Sequence, residues 1–286
     1  MKNFELIRPE TLTEAFSVLS AKKEEKIFIL AGGTDLLPVM RAGVLDVDYL
    51  LDITGLGFNE ISETADGITI GALCTFKQIY TNPLVKMNFP DLCKAALTVG
   101  AVQTRGIATM AGNLCAGVPS LDSAPTLLIH EARFKLVSKN GERWVDSADF
   151  FVAPRRTKIV PKEDIMTEIF VPKNPANYAS DFIKFGRRNA LSLSIVNAAY
   201  GCVFANGTIE KPRAVIGACA ATPKRLYDAE KYLEGKTKAT LDYKKLDELV
   251  KGGIRPISDL RASAEYRKEL AAALIRKQVR AIVEGE

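Results

Sequence analysis

The chain has 286 residues, of which 47% are apolar and 26% charged, and its net charge is +5. These are globular proportions, with length for roughly two or three domains, and they exclude disordered, collagen-like and low-complexity chains. One His and five dispersed Cys exclude a His-rich metal centre, a zinc site and an iron–sulfur run, and the mild basicity excludes a dedicated nucleic-acid binder.

In chain order, Thr11 to Lys22 reads as a helix. Thr11 and Glu14 form a T-x-x-E capping box, and Leu12, Ala15, Phe16 and Leu19 share one face. Lys26 to Leu30 is an apolar run of strand length, broken by Ala31-Gly32-Gly33-Thr34-Asp35. Leu36 to Ala42 follows as a short helix closed by Gly43, and Asp48 to Ile53 returns as a strand. Strand, Gly turn, short helix and strand together predict a small parallel α/β unit. Gly67 to Leu73 is a further strand. Thr75 to Tyr80 and Pro90 to Thr98 are helices, the second with Pro90 at its first position. From Gly100 to Pro119 the chain is rich in Gly, Ala, Thr and Asn, and no charge occurs from Gly106 to Leu121. That composition suits a backbone that something approaches closely.

Asp122 to Glu131 reads as a helix with Asp122 at its cap. Arg133–Ser138 and Glu142–Val145 make a hairpin around Asn140-Gly141, and Ile165–Val171 is a strand ended by Pro172. Lys173 to Asn177 is a linker. Strands follow at Asp181–Phe185, Ser194–Ala205 and Arg213–Ala220, with Asn206-Gly207 turning between the last two. Helices close the chain at Leu226–Leu233, Tyr243–Lys251 and Ser263–Val283. The expected fold class is α+β: lobes at about 1–57 and 58–175, then a domain at 176–286 with a small antiparallel sheet and a helix bundle.

Residues 1–175 hold 19 Lys or Arg against 21 Asp or Glu, and residues 176–286 hold 20 against 13. The basic excess therefore belongs to the C-terminal third, either as a solvated face or as one that meets an acidic partner or subunit. Unpaired Cys fit a reducing cytoplasm, and no leader is visible at Met1 to Glu10. The longest uncharged run, Asn189 to Ile209, is too interrupted by Asn, Ser and Gly to span a membrane.

Two segments carry the chemistry. In Ile29-Leu30-Ala31-Gly32-Gly33-Thr34-Asp35-Leu36, adjacent glycines after a strand let main-chain N–H groups converge on an anion such as a pyrophosphate. The next helix turn adds its positive end, and Thr34 a hydroxyl. By itself a strand–GG–helix junction is also a plain tight turn, and it matches neither G-x-G-x-x-G nor a P-loop. The second segment is a loop, Thr109-Met110-Ala111-Gly112-Asn113-Leu114, followed by Pro119 and Asp122, and its small residues again expose N–H groups. Asn113 can meet phosphate, ribose or a base edge, and Asp122 can accept from ribose hydroxyls. Against these stand a left-handed turn role for Asn113 and an N-cap role for Asp122.

Four ordered blocks carry a family resemblance: LAGGTDLLP (Leu30–Pro38), GAVQTRGIATMAGNLCAGVPSLDSAPTLL (Gly100–Leu128), FIKFGRR (Phe182–Arg188) and PISDLRASAEYRKELAAALIRKQV (Pro256–Val279). They resemble the flavin-binding subunit or domain of the molybdenum hydroxylases, the xanthine, carbon monoxide and nicotinate dehydrogenase group. The likeness runs over the whole chain and looks strongest toward the separate medium subunit of bacterial xanthine or purine dehydrogenases. It implies a two-lobed, PCMH-type FAD-binding domain with noncovalent FAD extended between the lobes. Ile29, Leu30, Ala31, Gly32, Gly33, Thr34, Asp35 and Leu36 would hold the pyrophosphate. Thr109, Met110, Ala111, Gly112 and Asn113 would contact phosphate and ribose, with Asp122 further along and Val99 and Gly100 near the cofactor. Ile165 matches a strand-edge residue beside the adenine or flavin ring, and Lys184 a lysine reaching the flavin from the C-terminal domain. The plain alternatives are a core strand residue and a solvent-facing one.

The resemblance further implies [2Fe-2S] clusters in a small partner subunit and a molybdenum cofactor in a large one. Electrons would pass through FAD to NAD or another acceptor, with no catalytic acid or base and no metal ligand in this chain. A cytoplasmic hetero-oligomer, such as a dimer of heterotrimers, completes that expectation. His130 lies far from the first Gly segment, so no covalent flavin attachment is expected, and it reads as a helix-surface or packed residue. A self-contained flavin oxidoreductase would need its own pocket and usually a His or Tyr base, which one His serves poorly. A nucleotide-binding scaffold is the non-enzymatic alternative.

Overall fold

The computed structural model describes residues 2–285. The first lobe is a parallel sheet of β1 (Glu5–Ile7), β2 (Ile27–Leu30) and β3 (Tyr49–Asp52), ordered β1-β3-β2. Its crossovers are α1 (Leu12–Ala21) and α2 (Leu36–Arg41), as the strand–turn–helix–strand pattern predicts. The sequence reading misses β1, whose three residues are too few to show a period. Thr11 caps α1 by accepting from the Glu14 N–H at 3.1 Å. The Glu14 carboxylate, however, accepts from the Glu10 N–H at 2.8 Å, so the predicted box closes one residue early. Ala15 and Leu19 of α1 pack on Ile27 and Leu51, and Leu73 and Ile165 of the second lobe complete that core.

The second lobe starts with the hairpin β4 (Ile61–Thr64) and β5 (Gly67–Gly71). Six short helices follow: α3 (Phe76–Thr81), α4 (Pro83–Asn88), α5 (Pro90–Leu97), α6 (Val102–Arg105), α7 (Met110–Ala116) and α8 (Ser123–Ile129). α4 has no sequence counterpart in the prediction because six residues show no periodicity; Asn82 starts it by accepting from the Leu84 and Val85 N–H groups. Then come β6 (Arg133–Ser138), β7 (Gly141–Asp146), α9 (Ser147–Phe150), a separate hairpin of β8 (Phe151–Ala153) and β9 (Arg156–Thr157), and β10 (Ile165–Pro172). β10 returns to the centre of an antiparallel five-stranded sheet, β4-β5-β10-β6-β7.

The third sheet is antiparallel, β11 (Tyr178–Gly186), β12 (Ser194–Ala205), β13 (Thr208–Gly217) and β14 (Lys224–Arg225), in chain order. α10 (Tyr227–Leu233), α11 (Tyr243–Gly253) and α12 (Ala264–Glu284) cover one face of it. Side chains alternate between two cores: Ala198, Tyr200, Cys202 and Ile216 meet these helices, whereas Phe182, Ala199 and Val215 join the core of the second lobe. β12 is thus buried on both faces, which accounts for the long uncharged run there. The architecture is α+β.

The linker is pinned rather than loose. His130 is 1% exposed, not on a helix surface: its Nε2 lies 2.9 Å from the Asp91 carboxylate and its Nδ1 3.0 Å from Asn174 Oδ1. Its ring meets Phe89 edge-on.

At the carboxyl end of β3, Asp52 is 4% exposed, accepts from Arg8 at 2.6 and 2.9 Å, and accepts from the Thr54 hydroxyl at 2.6 Å. Burial acts to raise its pKa, but the Thr54 hydroxyl and N–H together with the Arg8 guanidinium outweigh it and hold the carboxyl below its ordinary value. A lowered folded pKa contributes stability that is present above the unfolded value of about 3.9 and lost as pH falls through the folded one. Urea titrations at descending pH should show the wild type losing stability below about pH 4. Asp52→Asn should start less stable at neutral pH and lose less over that interval; parallel curves would deny Asp52 this role.

Candidate functional site

The Gly32-Gly33 turn leaves the carboxyl end of β2, the end at which parallel sheets receive ligands. The main-chain N–H groups of Gly32, Gly33 and Thr34 have no hydrogen-bond partner among the described residues. Gly33 adopts φ +66°, a left-handed conformation that glycine supplies without strain. A Cβ on Gly32 would stand 2.2 Å from the Ile107 carbonyl oxygen, so the turn touches the second lobe only because that atom is missing. A Cβ on Gly112 would stand 3.9 Å from the Ala31 Cβ. The two Gly segments, far apart in sequence, are adjacent walls of one cradle.

The second segment is the start of a helix and not a loop. Thr109 caps α7, its hydroxyl accepting from the Gly112 N–H at 3.1 Å. Small residues there are helix formers once a cap is in place, and composition alone could not separate the two. Met110 and Ala111 are buried and Gly112 is exposed. Asn113 is helical, so it is not a left-handed turn residue; its Oδ1 accepts from the Ser123 hydroxyl at 2.9 Å.

Asp122 holds the cap position of α8 but makes no capping bond. Its Oδ1 accepts from the Ser194 hydroxyl at 2.6 Å and the Asn197 amide at 2.9 Å. Its Oδ2 accepts from the Lys184 ammonium at 2.6 Å, and Lys184 also donates to the Thr98 carbonyl at 3.0 Å. Lys184 is therefore not solvent-facing. Ser194 and Asn197 were missed by sequence reasoning, because only the third sheet brings them to Asp122.

The remaining predicted residues flank these two clusters. Gly100, at φ +52°, and Val99 follow Thr98. Ile165 is 2% exposed and packs in the core that also takes Ile29 and Ala31, beneath the first turn. Leu30 and Leu36 pack against a different core with Met40, Val47 and Leu50. Asp35 meets Arg155 at 3.1 Å. A surface hollow of about 490 Å³ lies elsewhere, among Asn3, Phe4, Glu5, Glu25, Asp48 and Tyr49. It sits at the amino ends of the parallel strands, and its carboxylates would repel a phosphate.

Burial pushes the thiols of Cys74, Cys93 and Cys202 up to about 11 and those of Cys115 and Cys219 up to about 12. Among the described residues no group of three or more His, Cys, Asp and Glu is placed to hold a metal ion. Nor is any described helix long and apolar enough to cross a membrane.

Residues 2–174 match the family model of the FAD binding domain in molybdopterin dehydrogenase. The chain belongs to this family. Residues 181–282 match the CO dehydrogenase flavoprotein C-terminal domain. The chain is 29% identical to a putative xanthine dehydrogenase FAD-binding subunit of Escherichia coli, over 95% of this chain and 93% of the relative. It is 31% identical to the glyceraldehyde dehydrogenase medium chain of Sulfolobus acidocaldarius, over 96% of each. Its backbone matches a chain of the carbon monoxide dehydrogenase from Hydrogenophaga pseudoflava with a TM-score of 0.93 at 26% identity, covering 98% of this chain and 97% of that one. The quinoline 2-oxidoreductase of Pseudomonas putida 86 matches with a TM-score of 0.91 at 25% identity, covering 100% and 99%. FAD is the cofactor of this flavoprotein family, and a cradle of three unpartnered N–H groups closed to a side chain at Gly32 fits its pyrophosphate.

Asp122→Ala should destabilise the folded chain by about 3 kcal/mol in denaturant titrations, because it leaves the Lys184 ammonium buried without a counter-charge. A thiol reagent at neutral pH should label the native chain far more slowly than the unfolded one, in which all five Cys become reactive. Rapid native labelling would place a thiolate where burial argues against one.

Proposed function

We propose that this chain is the FAD-binding, electron-relaying subunit of a multi-subunit molybdenum hydroxylase of the xanthine or purine dehydrogenase kind. The observation that carries the reading is the meeting of Gly32–Thr34, with their free N–H groups, and the start of α7. Main-chain N–H groups of the first turn would hold the pyrophosphate, with Ile29 to Leu36 as its frame. Thr109 to Asn113 would receive the neighbouring phosphate and ribose, where the Ala111 N–H is also without a partner among the described residues. Lys184 would act on the flavin side by fixing Thr98, and hence Val99 and Gly100, to the third sheet. Ile165 would support the first turn from beneath.

When bound, FAD supplies exchange between one-electron and two-electron carriers. The residues of this chain would bind and orient it, and none of them need move a proton. The functional division of the chain would fall at 175/176. A small [2Fe-2S] subunit would deliver electrons, a large molybdenum subunit would hydroxylate the substrate, and NAD or another acceptor would receive the electrons, in a cytoplasmic dimer of heterotrimers. The names of full-length relatives as FAD-binding subunits and medium chains support this reading.

Purified with its subunits, the chain should show stoichiometric flavin absorbance. Gly32→Ala, which drives a methyl into the Ile107 carbonyl, and Gly33→Val, which puts a branched side chain at φ +66°, should lose it while keeping a native far-UV spectrum. Full flavin content in folded Gly32→Ala would overturn the cradle.

A further inference from the structure

We propose that Arg155 is the clasp of the FAD cleft, closing the β8–β9 hairpin of the second lobe over the Gly32–Thr34 turn of the first. The proposal rests on the cofactor reading above. The hairpin stands apart from the five-stranded sheet, and its turn carries Arg155 at φ +57°, a conformation that costs a residue with a side chain free energy. Two contacts hold it there. The Arg155 N–H donates to the Gly117 carbonyl at 2.8 Å, at the end of α7. Its guanidinium donates through Nη1 to Asp35 Oδ2 at 3.1 Å, at the start of α2. One residue thus ties the start of α2, next to the first turn, to the far end of α7, the helix whose start forms the second wall.

A second strap ties the same lobes at the other end of β2. Lys162 donates to the carbonyls of Lys23 and Glu25 at 2.6 and 2.7 Å, next to the amino end of that strand. That end is not where a parallel sheet receives a ligand. Arg155 crosses the carboxyl end, which is. Arg155 and Asp35 are 55% and 50% exposed, so water and salt weaken their pair enough to let it open. The Arg155 Nε and Nη2 have no partner among the described residues, so the planar guanidinium can hold Asp35 and a phosphate oxygen together. Closed, the clasp retains the dinucleotide; open, it admits or releases it.

The test is the rate of FAD release from the purified holoenzyme, read as recovered flavin fluorescence after rapid dilution at several salt concentrations. Wild-type release should accelerate with salt. Arg155→Ala should release FAD about two- to fivefold faster and respond little to salt, and Arg155→Lys should restore much of both properties. Unchanged release from Arg155→Ala, or faster release with the wild-type salt response, would overturn the clasp while leaving the cofactor reading intact. A wild-type holoenzyme without FAD would overturn both.

Discussion

Two backbones touch at Gly32 and Ile107, and the cradle between the two lobes depends on that contact. No Cβ fits between the Gly32 α-carbon and the Ile107 carbonyl, so the parallel sheet of the first lobe and the short helices of the second meet without intervening side chains. The close approach brings the carboxyl end of β2 to the start of α7, where the N–H groups of Gly32, Gly33, Thr34 and Ala111 have no partner among the described residues. Apolar packing sets the angle of approach, because Leu73 and Ile165 of the second lobe complete the core of the first. An anion site built from main-chain donors needs this rigidity, since such donors cannot adjust as a side chain would.

Beside the cradle lies a polar centre of a different kind. Asp122 and Lys184 are both nearly buried, and isolating either charge would be costly. Ser194, Asn197 and the Thr98 carbonyl satisfy them, so the pair works as a joint among α5, α8, β11 and β12. Through that joint the third sheet fixes the approach to Gly100 and the start of α8 at once. His130 with Asp91 and Asn174 does the same for the linker. These buried titratable groups hold separate elements together. The C-terminal basic excess is also partly internal: Arg213 and Arg225 pair with Glu131, and Arg267 is buried against Asp259 and two carbonyls.

Much of this could be read along the chain, because the signals are local. The cap at Thr11, the Asn206-Gly207 turn, and the strand–Gly–helix–strand order act within a few residues, and the corresponding elements stand where those signals put them. The four sequence blocks were enough to indicate the family. Short elements such as β1 and α4 escaped because a period needs more residues than they have. α7 reads as a loop in the sequence because Gly, Ala and Asn are ambiguous until Thr109 caps them.

The α+β succession of elements and the two Gly segments are legible along the chain. Those depend on neighbours in the chain and on residue type. Packing in three dimensions makes the two segments one cradle, turns Asp122 to Lys184 in place of its own helix end, buries His130, and brings Arg155 to Asp35. Each of these joins residues from separate elements. Their meeting follows from how sheets and helices pack in three dimensions, which local propensity does not encode.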